Sequence, residues 1–410
     1  MTIIEFYDKT SIDNIVGALL CAPEKMILIG DRHKQLARSV EIYREVAAGR
    51  DISTEFSYKS INKNQLKGLI DTLTEIVMEN EDCVFDLSGG EDVYLVAVGI
   101  IWTRYPDRVS CQRFNAHNGT FNRYDADGKL CESREISVSV DENVAIYDGS
   151  IVRSDSLGIS TYDWDFSEDF IADVSAMWSV CRKNSRLWNA HTCSIGAVSD
   201  FLGVEDSLSV SYERDAVVKA LERRGDRYVF VNGIMQELEE LGIISNLSVG
   251  EVISYTFKNA QIKRCLTVAG QILELIVATR LIALRDSENR PIYNDVKVGV
   301  VIDWDEDDDS VAKTINEIDV LAMKGIIPVF ISCKNGSFDA NELYKLTTLA
   351  SRFGGDYAKK VLVTTELEKL GPKAEYLRER MEDMKIRRIE NIDEESDEEL
   401  DRLLRSIWLN

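Results

Sequence analysis

Two hydrophobic periods alternate along the first hundred residues. Apolar runs near 2–7, 25–30, 52–58 and 82–87 read as strands, and the stretches near 11–21, 33–48, 63–79 and 92–102 between them carry helical spacing. Strands joined by helix-length crossovers predict a parallel, doubly wound α/β sheet. Such sheets bind ligands outside the carboxyl ends of their strands, where this chain offers three turns: Lys9-Thr10-Ser11, Gly30-Asp31-Arg32-His33 and Ser88-Gly89-Gly90-Glu91-Asp92. In the third, a strand passes through Ser-Gly-Gly into a helix, which predicts free backbone N–H groups facing a ligand. A plain strand-to-helix turn is the competing reading. Glu91 and Asp92 suit the helix dipole but repel a phosphate set against them, so the ligand is expected to present sugar or base edges too. No Gly-x-Gly-x-x-Gly and no Walker lysine is present, so neither nucleotide fingerprint applies.

Beyond residue 105 the pattern turns β-rich (Val109–Asn115, then from Gly119), as a hairpin completing or extending the sheet. In the least regular stretch, 156–255, the run Leu208–Tyr212, a helix near 213–224, Tyr228-Val229-Phe230-Val231 and a helix near 233–241 fit a small winged-helix-like linker. Trp164, Trp178 and Trp188 read as core or interface. A long apolar helix over roughly 260–284 holds Glu274, a carboxylate costly there without a task or a partner. Strands near 295–302 and 314–322 follow, then a turn at Lys324-Gly325 and an apolar strand ending in Ser332-Cys333-Lys334. Side chains two apart share a strand face, which pairs Glu317 with Asp319 and Ser332 with Lys334. Folded as a hairpin, these runs bring carboxylates to an ammonium, the chemistry that holds a divalent cation and polarises a phosphodiester. The same pattern also describes a solvated strand face with a protective edge lysine. Downstream, Ser351-Arg352-Phe353-Gly354-Gly355 closes a helix before Lys359 and Lys360. The boundaries drawn from this are 1–155, 156–255 and 256–410.

Composition narrows the class. At 410 residues the chain exceeds one ordinary core. No apolar run reaches the roughly 20 residues of a membrane span, and the N-terminus lacks a signal peptide's basic region. Eight cysteines without a Cys-x-x-Cys pair argue against structural zinc and disulfides and suit a reducing cytoplasm. His33, His117 and His191 stand too far apart in sequence for metal-ligand spacing. The net charge of −23 opposes tight duplex binding, although much of it is local. One acidic run, Asp303 to Asp309, reads as a solvated hairpin loop. The other, Glu390 to Asp401, opens a C-terminal helix that ends in Ile407-Trp408-Leu409 and either docks or forms a dimer.

The order helix acid, strand, acidic strand, lysine strand, basic helix resembles the restriction-endonuclease-like PD-(D/E)XK core. Asn316-Glu317-Ile318-Asp319, Ile331-Ser332-Cys333-Lys334 and Phe353-Gly354-Gly355-Asp356-Tyr357-Ala358-Lys359-Lys360 resemble, more narrowly, the nuclease half of CRISPR-associated CARF nucleases, over about 256–365. The Asp86–Glu91 loop is similar to the ligand loop of CARF domains, which pair as homodimers around a cyclic oligoadenylate. The resemblance implies a CARF-like sensor, a linker and a metal-dependent nuclease that cuts DNA, RNA or both in type III CRISPR antiviral defence when a ring, cyclic tetra-adenylate first among them, is bound. It makes Asp319 the motif aspartate, Lys334 the motif lysine and Glu274 the helix acid. Asp319, Glu274, Glu317 and the Cys333 carbonyl would hold Mn²⁺ or Mg²⁺, while Arg352, Lys359 and Lys360 would grip nucleic acid. One departure is plain: Ser332 stands where the motif has a carboxylate, so either Glu317 replaces it or metal binding is loosened. The alternative is a ring-binding sensor or transcriptional regulator with a weak or inactive nuclease.

Overall fold

Thr2–Phe6 and Cys83–Asp86 are buried along their whole length and Lys25–Gly30 along nearly all of it, the mark of parallel strands covered on both faces. The computed structural model describes every residue except 63, 116–118, 126, 154–159, 205, 226, 305–314, 366, 368–370 and 409–410. Among the described residues the first sheet has seven strands. Their order is Glu55–Ser60, Lys25–Gly30, Thr2–Phe6, Cys83–Asp86, Val109–Asn115, Thr120–Tyr124 and Leu130–Glu135, the first five parallel and the last two antiparallel. The strand order reverses between Thr2–Phe6 and Cys83–Asp86. The crevice of a doubly wound sheet opens at such a switch point.

The second sheet runs Ile386–Ile389, Lys359–Thr364, Ile327–Lys334, Ile315–Lys324, Asp295–Asp303 and Ser150–Ile151. Ile327–Lys334 pairs antiparallel with Ile315–Lys324 through the turn at Gly325 and parallel with Lys359–Thr364. The acidic loop expected after Asp303 falls mostly outside the described residues. Helix Gln271–Ala283 packs on one face and helix Ala340–Gly354 on the other. The latter face belongs to one apolar core with the first sheet, which holds Ile3, Met26 and Val84 together with Phe330, Phe353 and Leu362. The two sheets are thus joined by packing, and by polar contacts: Asn143 Nδ2 donates to the Phe353 carbonyl (2.7 Å) and Tyr357 OH to Asp13 Oδ2 (3.3 Å).

The apolar stretch over 260–284 is not one helix. It breaks into Ala260–Thr267 and Gln271–Ala283 because Gly270 takes φ +83°, a left-handed conformation that glycine enters without steric cost. Glu274 therefore lies in a first turn, where the helix dipole favours a carboxylate. On the face of the second sheet away from the first, helices Glu168–Lys183 and Ser185–Leu202 bury Trp178 and Trp188 in the core that holds helix Gln271–Ala283. Strand Ser209–Glu213, helices Arg214–Arg224 and Asn232–Glu240, and the hairpin Ile244–Val249/Val252–Phe257 complete a winged-helix-like unit. The Tyr228–Val231 run joins no sheet, since Val229 and Val231 donate their N–H groups to Ser194 Oγ and His191 Nδ1. The C-terminal helix Asp397–Arg405 is docked by buried Leu400 and Leu404 and by Arg280, which reaches Asp401 at 2.6 Å.

Candidate functional site

The acid and lysine strands splay where the register ends at Val320↔Ile331. The N–H of Cys333 has lost its ladder partner there, and Asp319 Oδ2 accepts it at 2.7 Å. The same oxygen accepts from Ser332 Oγ (3.1 Å) and Lys334 Nζ (3.2 Å). Asp319 can do this because the strand turns over at its position. Gly299, with φ +60°, lies opposite it between the pairs Val298↔Val320 and Val300↔Ile318. Val298 and Val320 pack toward helix Gln271–Ala283, whereas Val300 and Ile318 pack into the opposite core. This kink interrupts the alternation on which a shared face for Glu317 and Asp319 rested. Glu317 is exposed, its carboxylate near Gly299.

Glu274 faces this group from the helix. Burial, then the charges of Asp319 and Glu317, push its carboxyl well above the ordinary range, and Gln271 Nε2 donates to it at 2.9 Å. A cation among these carboxylates would relieve that cost, and oxygen donors are what a hard divalent ion takes. Among the described residues no three His, Cys, Asp or Glu side chains are placed to hold a metal ion together. The set therefore fits an ion held by one or two carboxylates that completes its shell with water and substrate phosphate, as Mg²⁺ does.

Sequence reasoning missed Glu342. It lies in the first turn of helix Ala340–Gly354 and sits 3.1 Å from Lys334 Nζ. Burial alone would lower the ammonium's pKa; Asp319 and Glu342 more than offset it and hold the charge. The signal was available, since Asp339 caps the helix and places Glu342 at its start. If this cluster cleaves nucleic acid, losing one of two charge-assisted contacts (about 1.5–3 kcal/mol each) makes Glu342→Gln an expected loss of roughly tenfold in cleavage. Glu342→Asp should be intermediate, as read from initial rates on a labelled strand.

The predicted nucleic-acid residues are not brought to this cluster. The register pairs Lys334 with Thr364 and Val329 with Lys359, so Lys359 and Lys360 begin their strand roughly 16 Å from the level of Lys334. Arg352 is exposed at a helix end, its guanidinium 5.8 Å from the Phe353 ring centroid. Any grip these three have on a nucleic-acid backbone therefore falls well away from the acid cluster.

At the switch point of the first sheet, the three predicted turns do converge. Gly89 and Gly90 press on the neighbouring strand: a Cβ on Gly89 would lie 2.8 Å from Asp8 Cβ, and one on Gly90, at φ +95°, 2.7 Å from Phe6 Cβ. The expectation of free N–H groups needs correction, because Ser88 N donates to Asp86 Oδ1 and Gly90 N to Asp8 Oδ2. The Ser88 hydroxyl is also committed, donating to Asp86 and accepting from Phe114 N. Thr10 is buried, with Gly355 of the second sheet's flank against its side chain, and the Ser11 carbonyl accepts from Tyr43 OH. Lys9, Asp31, Arg32, His33, Glu91 and Asp92 are exposed around the crevice. Arg32 contacts Gln35, and His33 contacts the Tyr58 hydroxyl.

Beneath the crevice lies a second feature the sequence did not disclose. Glu5, Asp13 and Asp86 are buried side by side. Burial raises all three, Asp13 to about 8 and Asp86 to about 6, and their mutual charges add to the shifts of Glu5 and Asp13. The folded protein keeps protons on them that the unfolded chain has released, so this contribution to stability falls as pH rises from about 4 through 8. Asp13→Asn is expected to flatten part of that fall, on the order of 1–3 kcal/mol, in melting curves against pH.

No family model matches the chain, and no curated protein matches its sequence. Solved structures do share its fold. Protein VC1899 from Vibrio cholerae superposes with a TM-score of 0.72 at 17% identity, covering 99% of this chain and 97% of that one. Can2 from Sulfobacillus thermosulfidooxidans, solved in complex with cyclic tetra-adenylate, superposes with a TM-score of 0.64 at 14% identity, covering 100% and 99%. The mixed α/β fold of this chain is therefore shared with both proteins from end to end.

Proposed function

We propose that this chain, which has the fold of a protein solved on cyclic tetra-adenylate, is a cyclic-oligoadenylate-activated, metal-dependent nuclease. It would act as a cytoplasmic homodimer in type III CRISPR antiviral defence, cutting single-stranded or supercoiled DNA, RNA or both. The observation that carries the reading is the junction of Asp319, Lys334 and Glu274 at the splayed end of the second sheet, in a chain whose first sheet opens a glycine-lined crevice at its switch point. Glu274 and Asp319 would hold Mn²⁺ or Mg²⁺, which when bound supplies Lewis acidity toward the scissile phosphate. Lys334, fixed between Asp319 and Glu342, is aimed to stabilise charge on the reacting phosphate. Ser332 orients Asp319 by its hydroxyl bond, so the uncharged residue at the motif position acts on the aspartate.

That same serine favours a second reading, a sensor with a feeble nuclease, because one carboxylate fewer weakens the hold on a hard cation. The regulator reading loses support at the winged-helix-like unit, whose second helix turns Gln236 and Glu240 outward and ends in acids; phosphates call for cations there. Incubating the protein with single- and double-stranded DNA and RNA, Mn²⁺, and cyclic tri-, tetra- or hexa-adenylate separates these readings. Ring-dependent cleavage abolished by EDTA supports the nuclease. Ring binding without cleavage leaves the sensor alone.

A further inference from the structure

Lys359 and Lys360, far from the acid cluster, border a cleft of about 580 Å³ that also takes in Tyr357, Lys385 and Arg387. Lys324 joins from the hairpin turn: its Nζ lies 4.2 Å from the Trp408 ring centroid, and Lys359 Nζ lies 5.9 Å from the same centroid. Lys25, Lys183, Lys258, Lys297 and Lys334 are among the described lysines that make ion pairs. Among the described residues, Lys324, Lys359, Lys360 and Lys385 have none, although the chain carries a net −23. Asp356 and Glu382 line the cleft without closing on any of them. Burial and then a neighbouring lysine depress two of the ammoniums, Lys324 through Lys359 and Lys360 through Lys385. Lys385 also holds φ +55°, a conformation glycine or asparagine adopts at less cost. Cations gathered in this way, Lys359 and Lys360 half-buried and Lys324 and Lys385 exposed, and left without carboxylates, are a site for an external polyanion.

The geometry points to a phosphodiester-binding site, separate from the acid cluster, that takes a flexible single strand of nucleic acid along Lys324, Lys359, Lys360, Lys385 and Arg387. The charges fall into two neighbouring pairs, Lys324 with Lys359 and Lys360 with Lys385, which suits successive phosphates better than a single small anion. Tyr357 on the wall offers a face for base stacking. The inference rests on the nuclease reading for the identity of the anion alone. The site would hold substrate at a distance from the scissile bond, so it sets binding and its salt dependence.

The test is fluorescence anisotropy of labelled oligothymidylate and oligouridylate on the full chain in EDTA, where nothing is cut, as salt is raised. The double variant Lys359→Gln/Lys385→Gln is expected to lower the log–log salt slope by about 1.4, two contacts at roughly 0.7 each on a single strand, with an unchanged melting temperature. Lys359→Arg/Lys385→Arg should keep the wild-type slope. An unchanged slope in the glutamine variant overturns the site. So does a cleft that binds inorganic tripolyphosphate in calorimetry while neither oligonucleotide binds, which makes it a small-anion pocket. A wild-type protein that binds both strands through these lysines yet never cuts them keeps this site and removes the nuclease reading, so the two fail separately.

Discussion

Asp319→Ala is expected to abolish metal-dependent cleavage, and Lys334→Ala to lower it roughly 10²–10⁴-fold. One carboxylate oxygen of Asp319 accepts from Ser332 Oγ, Cys333 N and Lys334 Nζ together, so the substitution removes the proposed cation donor and also strands Ser332 Oγ and Cys333 N, while Lys334 keeps Glu342. Each stranded buried donor costs about 1–3 kcal/mol, so the alanine variant should be less stable as well as inactive. Asp319→Asn separates the two effects: its amide oxygen can still accept from Cys333 N–H, but it has lost the charge that holds a cation. The asparagine variant should melt near the wild type, fail to bind Mn²⁺ in calorimetry without nucleic acid, and fail to cut. Glu317, exposed beside Gly299, is expected to matter little. A large loss in Glu317→Ala that high Mn²⁺ restores would make it the ligand standing in for Ser332. Wild-type cleavage by folded Asp319→Asn would move the reaction centre elsewhere.

The elements that were legible in the sequence are those whose signal is local. Apolar runs such as Thr2–Phe6 and Ile327–Lys334 announce covered strands, and the Lys324-Gly325 turn gave the hairpin that sets Asp319 beside Lys334. The break at Gly270 was harder to see, because one glycine inside an apolar stretch is tolerated by a helix and only its positive φ ends one. The hairpin Ile244–Val249/Val252–Phe257 went unread despite its alternation, since Gly250-Glu251 gives only a weak turn signal. The acid group Glu5–Asp13–Asp86 and the lysine cleft are hidden for another reason. Asp86 comes from a different strand than Glu5, and Lys324, Lys359 and Lys385 come from three separate stretches of the chain, so only the strand order brings them together. The displacement of Lys359 from the acid cluster is also a matter of register: in a parallel pair, the lysines that open one strand lie beside the middle of its neighbour, away from the charged end. A motif spelled along the chain fixes which residues are present and leaves that distance open.

Gly90→Leu is expected to weaken cyclic oligoadenylate binding at least about a hundredfold (~2.7 kcal/mol) while leaving Mn²⁺ binding at Asp319 and Glu274 intact. Gly90 holds φ +95°, which an L side chain rarely adopts, and a Cβ there would meet Phe6 Cβ at 2.7 Å and Tyr94 at 3.0 Å. Phe6 and Tyr94 are stacked at 4.9 Å, and Phe6 is fully buried, so the neighbours cannot give. The Ser88–Glu91 loop must lift off the strand end instead, which deforms the crevice at the switch point while the core that the two sheets share, which includes neither Phe6 nor Tyr94, is untouched. In a homodimer the two crevices would share one ring on the two-fold axis with identical contacts, so calorimetry on the wild type should show one ring per dimer. Loss of binding should carry loss of activation, since a ligand shifts a conformational equilibrium only by its differential affinity. The route is short: Thr10, in the crevice's first loop, packs on Gly355, and Tyr357 bonds Asp13 at the start of the next helix. Tyr357→Phe should therefore keep ring affinity near the wild type but lower the activation it produces, and by linkage reduce the tightening of ring binding by substrate. Tight ring binding by Gly90→Leu, or one ring per subunit, would place the ligand outside this crevice.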